Sequence, residues 1–229
     1  MSHSFYRGAA VLGLALTLLL PEAQAVQPYQ ADYQFSIGSK FNGSASRVLS
    51  QAASGQWTYQ FRARIPVVAT ATETSWFSLA GHQVQSQRHQ MDYRILGLSK
   101  SSEIQFQGGQ AQVRRNGKTS QYSTHAGTLD TLNLELQLRE DLKNGGLRDR
   151  YWLSDDKSED PVRFVLRGNA TIRTPAGSFD TVRVDRIHED PARSTSFWMA
   201  PKLDYLPVRV TQKDDSMTYD ILLRAYHPR

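Results

Sequence analysis

The sequence predicts a mainly β protein: a single strongly curved antiparallel sheet, a half-open barrel, enclosing one α-helix. Three observations carry this. Apolar and polar residues alternate with period two along most of the chain. Turn signals recur at roughly ten-residue spacing, which makes strand follow strand with no room for long helical crossovers. One segment, Thr128 to Gly146, departs from the pattern and is rich in helix-forming residues.

Taken in order, the chain opens with a segment to be set aside from the fold. Arg7 precedes an apolar run from Ala9 to Leu20, Pro21 breaks it, and Ala23-Gln24-Ala25 has small residues where a signal peptidase needs them. The run is shorter than the ~20 residues that span a bilayer. Residues 1–25 are therefore expected to be a secretory signal peptide and 26–229 a single β-rich domain, with no transmembrane segment after cleavage.

Tyr33, Phe35 and Ile37 begin the alternation. Residues 57–65 continue it, with Trp57, Tyr59, Phe61, Ala63 and Ile65 on one face and Thr58, Gln60, Arg62 and Arg64 on the other. Stretch 67–79 is rich in Ala and Thr, and ends in Trp76-Phe77. Ile104 and Phe106 lead through a Gly108-Gly109 hairpin turn into Ala111 and Val113, and Asn116-Gly117 signals the next hairpin.

In 128–146, Thr128 or Asp130 offers a helix cap, and Lys143 with Gly145-Gly146 suits a helix end. At 100° per residue Leu129, Leu132 and Leu136 share one side, while Leu134, Leu138 and Leu142 share nearly the opposite one. A helix apolar on two sides lies in the sheet's concavity or plugs its end. The leucines at 132, 134, 136 and 138 also alternate, so a strand is the alternative.

After an acidic turn at Asp155–Pro161, alternation resumes at Phe164, Leu166, Ala170 and Ile172. Pro175-Ala176-Gly177 then turns the chain into Val182 and Val184. In 197–210 (FWMAPKLDYLPVRV), Phe197 and Met199 face opposite to Trp198, and Pro201 ends the pairing. Pro207 cannot donate a ladder hydrogen bond, so the next strand is an edge, starts there, or bulges. Tyr219, Ile221, Leu223 and Ala225 mark the last strand.

Composition narrows the function classes. The 229 residues include no cysteine, which excludes disulfides and the acylated cysteine of a bacterial lipoprotein. A periplasmic, non-anchored protein is expected. The net charge of +5 is modest, and the arginines, such as Arg62, Arg64, Arg163 and Arg183, fall singly along strands, so nucleic acid is not an expected partner. The histidines show no metal-ligand spacing, the acidic turn lacks a calcium-loop pattern, and nucleophile elbows, phosphate loops and dinucleotide fingerprints are missing. No catalytic residue, metal or cofactor is assigned.

A family resemblance rests on four features. These are the presequence; Gly127-Thr128-Leu129-Asp130 opening the leucine-rich segment; Thr174-Pro175-Ala176-Gly177-Ser178-Phe179-Asp180-Thr181 before Val182-Arg183-Val184; and Trp198, Ala200-Pro201 and Tyr205-Leu206-Pro207-Val208-Arg209. Together they resemble the bacterial envelope family called domain of unknown function 3108. Its general look is similar to periplasmic lipoprotein carriers of the LolA/LolB type, in which a curved sheet wraps a helix and holds acyl chains.

The reading that follows is a non-catalytic periplasmic binding module for an apolar or amphipathic envelope ligand, a lipid or acyl chain. Candidate ligand contacts are Trp57, Trp76, Phe77, Leu132, Leu136 and Trp198. The alternative is a scaffolding partner of another envelope protein without a small-molecule ligand. A hydrolase of unknown type is the third.

Overall fold

The computed structural model describes residues 26–38, 40–214 and 217–229. The expected presequence, 1–25, lies outside the described residues. Eight strands meander away from the start of the domain: β1 (Tyr29–Ile37), β2 (Phe41–Gln51), β3 (Trp57–Ile65), β4 (Ala69–Ala80), β5 (Gln83–Ile95), β6 (Leu98–Gln107), β7 (Gln110–Arg115) and β8 (Lys118–Ser123). Helix α1 (Thr131–Lys143) then crosses the concavity. Strands β9 (Tyr151–Ser154), β10 (Glu159–Thr174), β11 (Gly177–Ile187), β12 (Ser194–Ala200), β13 (Leu206–Asp214) and β14 (Met217–Pro228) meander back until β14 pairs with β1. The result is one antiparallel 14-stranded sheet with β8 and β9 at its edges.

The curled, open sheet around one helix is the architecture the alternation predicts, and the predicted turns hold. Gly108-Gly109 and Asn116-Gly117 adopt positive φ at both central residues, as tight hairpins between right-twisted strands require. Bulges let long strands stay buried through a change of phase. Trp76 pairs Arg88 and Phe77 pairs Ser86, so Gln87 is an extra residue, and both Val84 and His89 are buried. Pro207 marks a similar irregularity, between Trp198 and Met199, just after β13 begins.

The segment at 131–143 is a helix, which decides between the two readings of its leucines. Asp130 is the N-cap, its carboxylate accepting from the backbone N–H groups of Leu132 and Asn133 and from the Ser75 hydroxyl at 2.6 Å. Every residue from Leu132 to Asp141 is buried. The concavity thus surrounds the helix, and two leucine faces are used because the sheet curls around both.

The sheet edges approach but form no ladder. Tyr122 Oη lies 2.5 Å from Ser154 Oγ, and the His125 imidazole stacks 3.6 Å over Trp152 while meeting Glu159 at 2.5 Å. Burial alone would raise the Glu159 pKa, but hydrogen bonds from Thr128 and His125 outweigh it and lower it. The chain before α1 also covers β9: Leu129 donates to Trp152 O and accepts from Ser154 N, both at 2.9 Å. One edge is thereby protected, and the other, β8, is short and polar.

Candidate functional site

The same strands line two different halves of the concave face. In one half α1 is packed against β1–β5 and β9. Five polar side chains there form a connected chain: Arg139 Nη1 donates to Tyr29 Oη (2.9 Å), Tyr29 to Tyr59 (3.0 Å), Tyr59 to Glu135 (2.6 Å), and Arg47 closes the series with a 2.6 Å ion pair to Glu135. Burial opposes ionisation of Arg47, yet the Glu135 charge together with the surrounding Tyr59, Tyr33 and Tyr29 outweighs it and holds the guanidinium well above its ordinary pKa. Burial, with Glu135 adding, raises the Tyr59 phenol. Arg139 Nε also donates to Asp204 O at 3.0 Å, fixing the corner where Asp204 and Tyr205 both have positive φ.

In the other half the helix is absent. Here the inward residues of β1, β3, β4, β5, β13 and β14 leave a cavity of about 460 Å³. Phe35, Phe61, Ile65 and Ile221 supply apolar walls, and Ala69 and Ala71 supply the space, since two methyls stand where larger side chains would fill it. Phe35 and Tyr219 stack with centroids 6.4 Å apart. Gly43 permits the tight curl nearby: a Cβ there would stand 2.1 Å from the Arg64 carbonyl oxygen.

Polar groups are confined to the ends. At the inner end Glu73 accepts from Thr131 Oγ1 at 3.2 Å and lies 3.6 Å from His89 Nε2. Burial opposes a charge on His89, but the Glu73 hydrogen bond and the Asp130 field outweigh it and raise its pKa. Burial, reinforced by Glu73 and Asp156, raises the Tyr93 phenol. At the mouth stand Arg64, Thr70, Gln212 and Asp214. No group of three or more His, Asp or Glu side chains converges as metal ligands among the described residues.

The candidate contacts named from sequence divide two ways. Trp57 and Phe77 are buried and stacked at 6.1 Å, and with Leu132 and Leu136 they belong to the packed half. Trp76 lies on the outer face under Arg88, and Trp198 stands there between Arg183 and Arg209 at 5.3 and 5.1 Å. None of the six lines the apolar cavity. The residues that do line it were visible as the inward set of 33–37 and 57–65 and as the small residues of 67–79. Bulk drew attention to tryptophans, whereas space is made by alanines.

One sequence expectation is corrected. Arg62 and Arg64 are not isolated: with Arg224 they flank a second, larger groove of about 650 Å³ on the outer face, where pairing of distant strands gathers them. Its floor is backbone and small side chains, with the hydroxyls of Ser44, Ser46, Thr70 and Thr72 at its sides, so it lacks apolar enclosure.

Comparison with known proteins agrees with this architecture. A family described as "Protein of unknown function (DUF3108)" matches residues 29–221. The chain belongs to that family. Among solved structures, a β-barrel-like protein of domain of unknown function DUF1849 from Brucella abortus superposes with a TM-score of 0.62 at 12% identity, over 89% of this chain and 98% of that one. At such identity the likeness is one of fold. More distant matches are a lipoprotein from Parabacteroides distasonis (TM-score 0.36, 12% identity, 88% and 96% coverage) and MucB (0.34, 10%, 90% and 55%). No curated protein sequence matches. No helix among the described residues is long and apolar enough to cross a membrane.

Proposed function

We propose that this family member is a non-catalytic envelope module that holds an apolar or amphipathic ligand, a lipid or acyl chain, in the open half of its concavity. It would act in the periplasm after removal of residues 1–25 as a signal peptide. The cavity carries the reading: its walls are apolar, its polar groups sit only at its ends, and about 460 Å³ falls within the ~300–1,000 Å³ usual for small-molecule sites. Tail enclosure with a polar group at either end is the chemistry of an amphipathic ligand. A scaffold without a ligand has no use for this hollow, which favours the ligand reading over that alternative.

The test is titration of the purified chain with a fluorescent fatty acid, alongside Ala71→Phe. Wild type takes up the probe saturably, and the phenyl ring, filling the space between Ala63 and Tyr93, weakens uptake by about tenfold or more while circular dichroism is unchanged. The proposal is overturned if wild type takes up no probe and its organic extract contains no lipid, or if Ala71→Phe binds as wild type does.

A further inference from the structure

The large apolar residues that remain exposed are not scattered. The antiparallel order places the β1–β2, β3–β4, β5–β6, β7–β8, β9–β10, β11–β12 and β13–β14 connections at one end of the sheet. The exposed apolar residues lie at that end: Phe41, Val67, Ile95, Leu96, Leu98, Ile187 and Met217. Leu166, within β10, is the exception among the described residues. The opposite end, with turns at 52–56, 81–82, 108–109 and 175–176, exposes no large apolar side chain among the described residues.

This is also where the cavity opens, since Ile37, Ile65, Ile95 and Asp214, each the last residue of its strand, are in its lining. Val67 is fully exposed, and Leu98 and Leu96 are 80% and 77% exposed.

Two of these tips are held against backbone preference. Val67 has φ 65° and Leu96 φ 49°, the left-handed region that branched side chains avoid. Asn116-Gly117 makes the equivalent turn with the residue that conformation favours. Neither Val67 nor Leu96 contributes buried surface that would offset the strain, so fold stability does not account for them.

Cations surround the tips. Lys40 precedes Phe41, Arg64 lies three residues before Val67, Arg94 and Lys100 bracket Ile95–Leu98, and Lys118 follows the neighbouring hairpin. All five are exposed, and none has a carboxylate partner among the described residues. Other arginines near this end are matched to acids, as Arg115 is to Asp156 and Arg193 to Asp214. Asp92, Asp155, Asp160, Glu189 and Asp190 are exposed acids near this end; all but Asp92 lie on the β9–β12 side, and the five cations lie on the β1–β8 side.

We infer that this rim docks on an anionic lipid bilayer, with Val67, Leu96 and Leu98 entering the interface and the cations meeting headgroup phosphates. Separate apolar tips ringed by unmatched cations suit a yielding surface of mixed polarity, whereas a protein partner calls for a contiguous apolar patch with a polar rim. Docking stands without the ligand reading. Its consequence, that a ligand passes between cavity and membrane without crossing water, rests on that reading.

The decisive variant is Val67→Asn with Leu96→Asn, because asparagine tolerates positive φ and removes the apolar tips together. Wild type is expected to co-sediment with phosphatidylglycerol–phosphatidylethanolamine vesicles, less as salt rises, and hardly with vesicles of phosphatidylcholine alone. The double variant should keep its melting temperature or raise it, yet bind anionic vesicles about tenfold more weakly or less. Ala71→Phe should co-sediment like wild type even where it loses fatty-acid uptake, so failure of docking and failure of the ligand reading are told apart. The inference is overturned if wild type ignores anionic vesicles, if the double variant binds them equally, or if the rim engages a protein partner and no vesicle.

Discussion

Strands β1, β3, β4 and β5 each run through both halves of the concave face, so the two halves share a backbone and differ in side chains. Where α1 lies, the inward positions are large or hydrogen-bonding: Tyr29, Tyr59, Ser75 and His89 reach the helix and pair with its polar groups. Where it does not, the continuations of those strands carry Phe35, Ala63, Ala71 and Ile95. Stability is therefore concentrated in one half, and the other half is free to be hollow. A cavity costs packing energy, and a separate, densely bonded helix layer is what makes that cost tolerable.

The contrast can be broken most severely at Glu135. Glu135→Ala leaves the buried Arg47 guanidinium without its counter-charge and is expected to cost about 3–5 kcal/mol in urea unfolding. Arg47→Met added to it should recover much of that loss, because the uncompensated charge rather than the missing bond dominates. A double variant as unstable as the single one would show that the network's hydrogen bonds dominate instead.

A smaller effect compares one leucine with one isoleucine. Leu136 is fully buried on the helix, so Leu136→Ala should cost about 2–5 kcal/mol. Ile221 lines the hollow and is only partly buried, so Ile221→Ala should cost about 1 kcal/mol or less. Equal losses would mean that the second half is packed as tightly as the first.

The smallest effect probes the boundary between the halves through pH. His89 has a raised pKa in the fold, so its contribution to stability is fully present below the ordinary imidazole value near 6.5. It is lost as pH rises through the folded-state value. The urea midpoint should fall as pH rises above the ordinary imidazole value of about 6.5, and His89→Gln should remove that part of the slope. An unchanged slope in the variant would place the pH dependence elsewhere.

Local sequence determined much of this molecule. Period-two alternation fixed which residues of 33–37 and 57–65 share a face, because side chains on a strand must alternate. Gly108-Gly109 and Asn116-Gly117 specified hairpins, because few residues accept positive φ. The doubled leucine pattern of α1 required surroundings that bury more than one side of it. The small residues of 67–79 indicated space, although not where it lay.

Tertiary structure decided the rest. Pairing of β1 with β14 joins the two ends of the domain, and no local pattern encodes a contact between residues nearly two hundred positions apart. Bulges at Trp76/Phe77 and Trp198/Met199 alter the pairing phase, and the sheet's curl sets which face is inside, so Trp76 and Trp198 stand outside beside arginines. The gathering of Arg62, Arg64 and Arg224, the cavity in the half without the helix, and the ring of apolar tips at its mouth have the same origin. Each is a juxtaposition of strands distant in sequence, and such proximity is set by the register and curvature of the whole sheet.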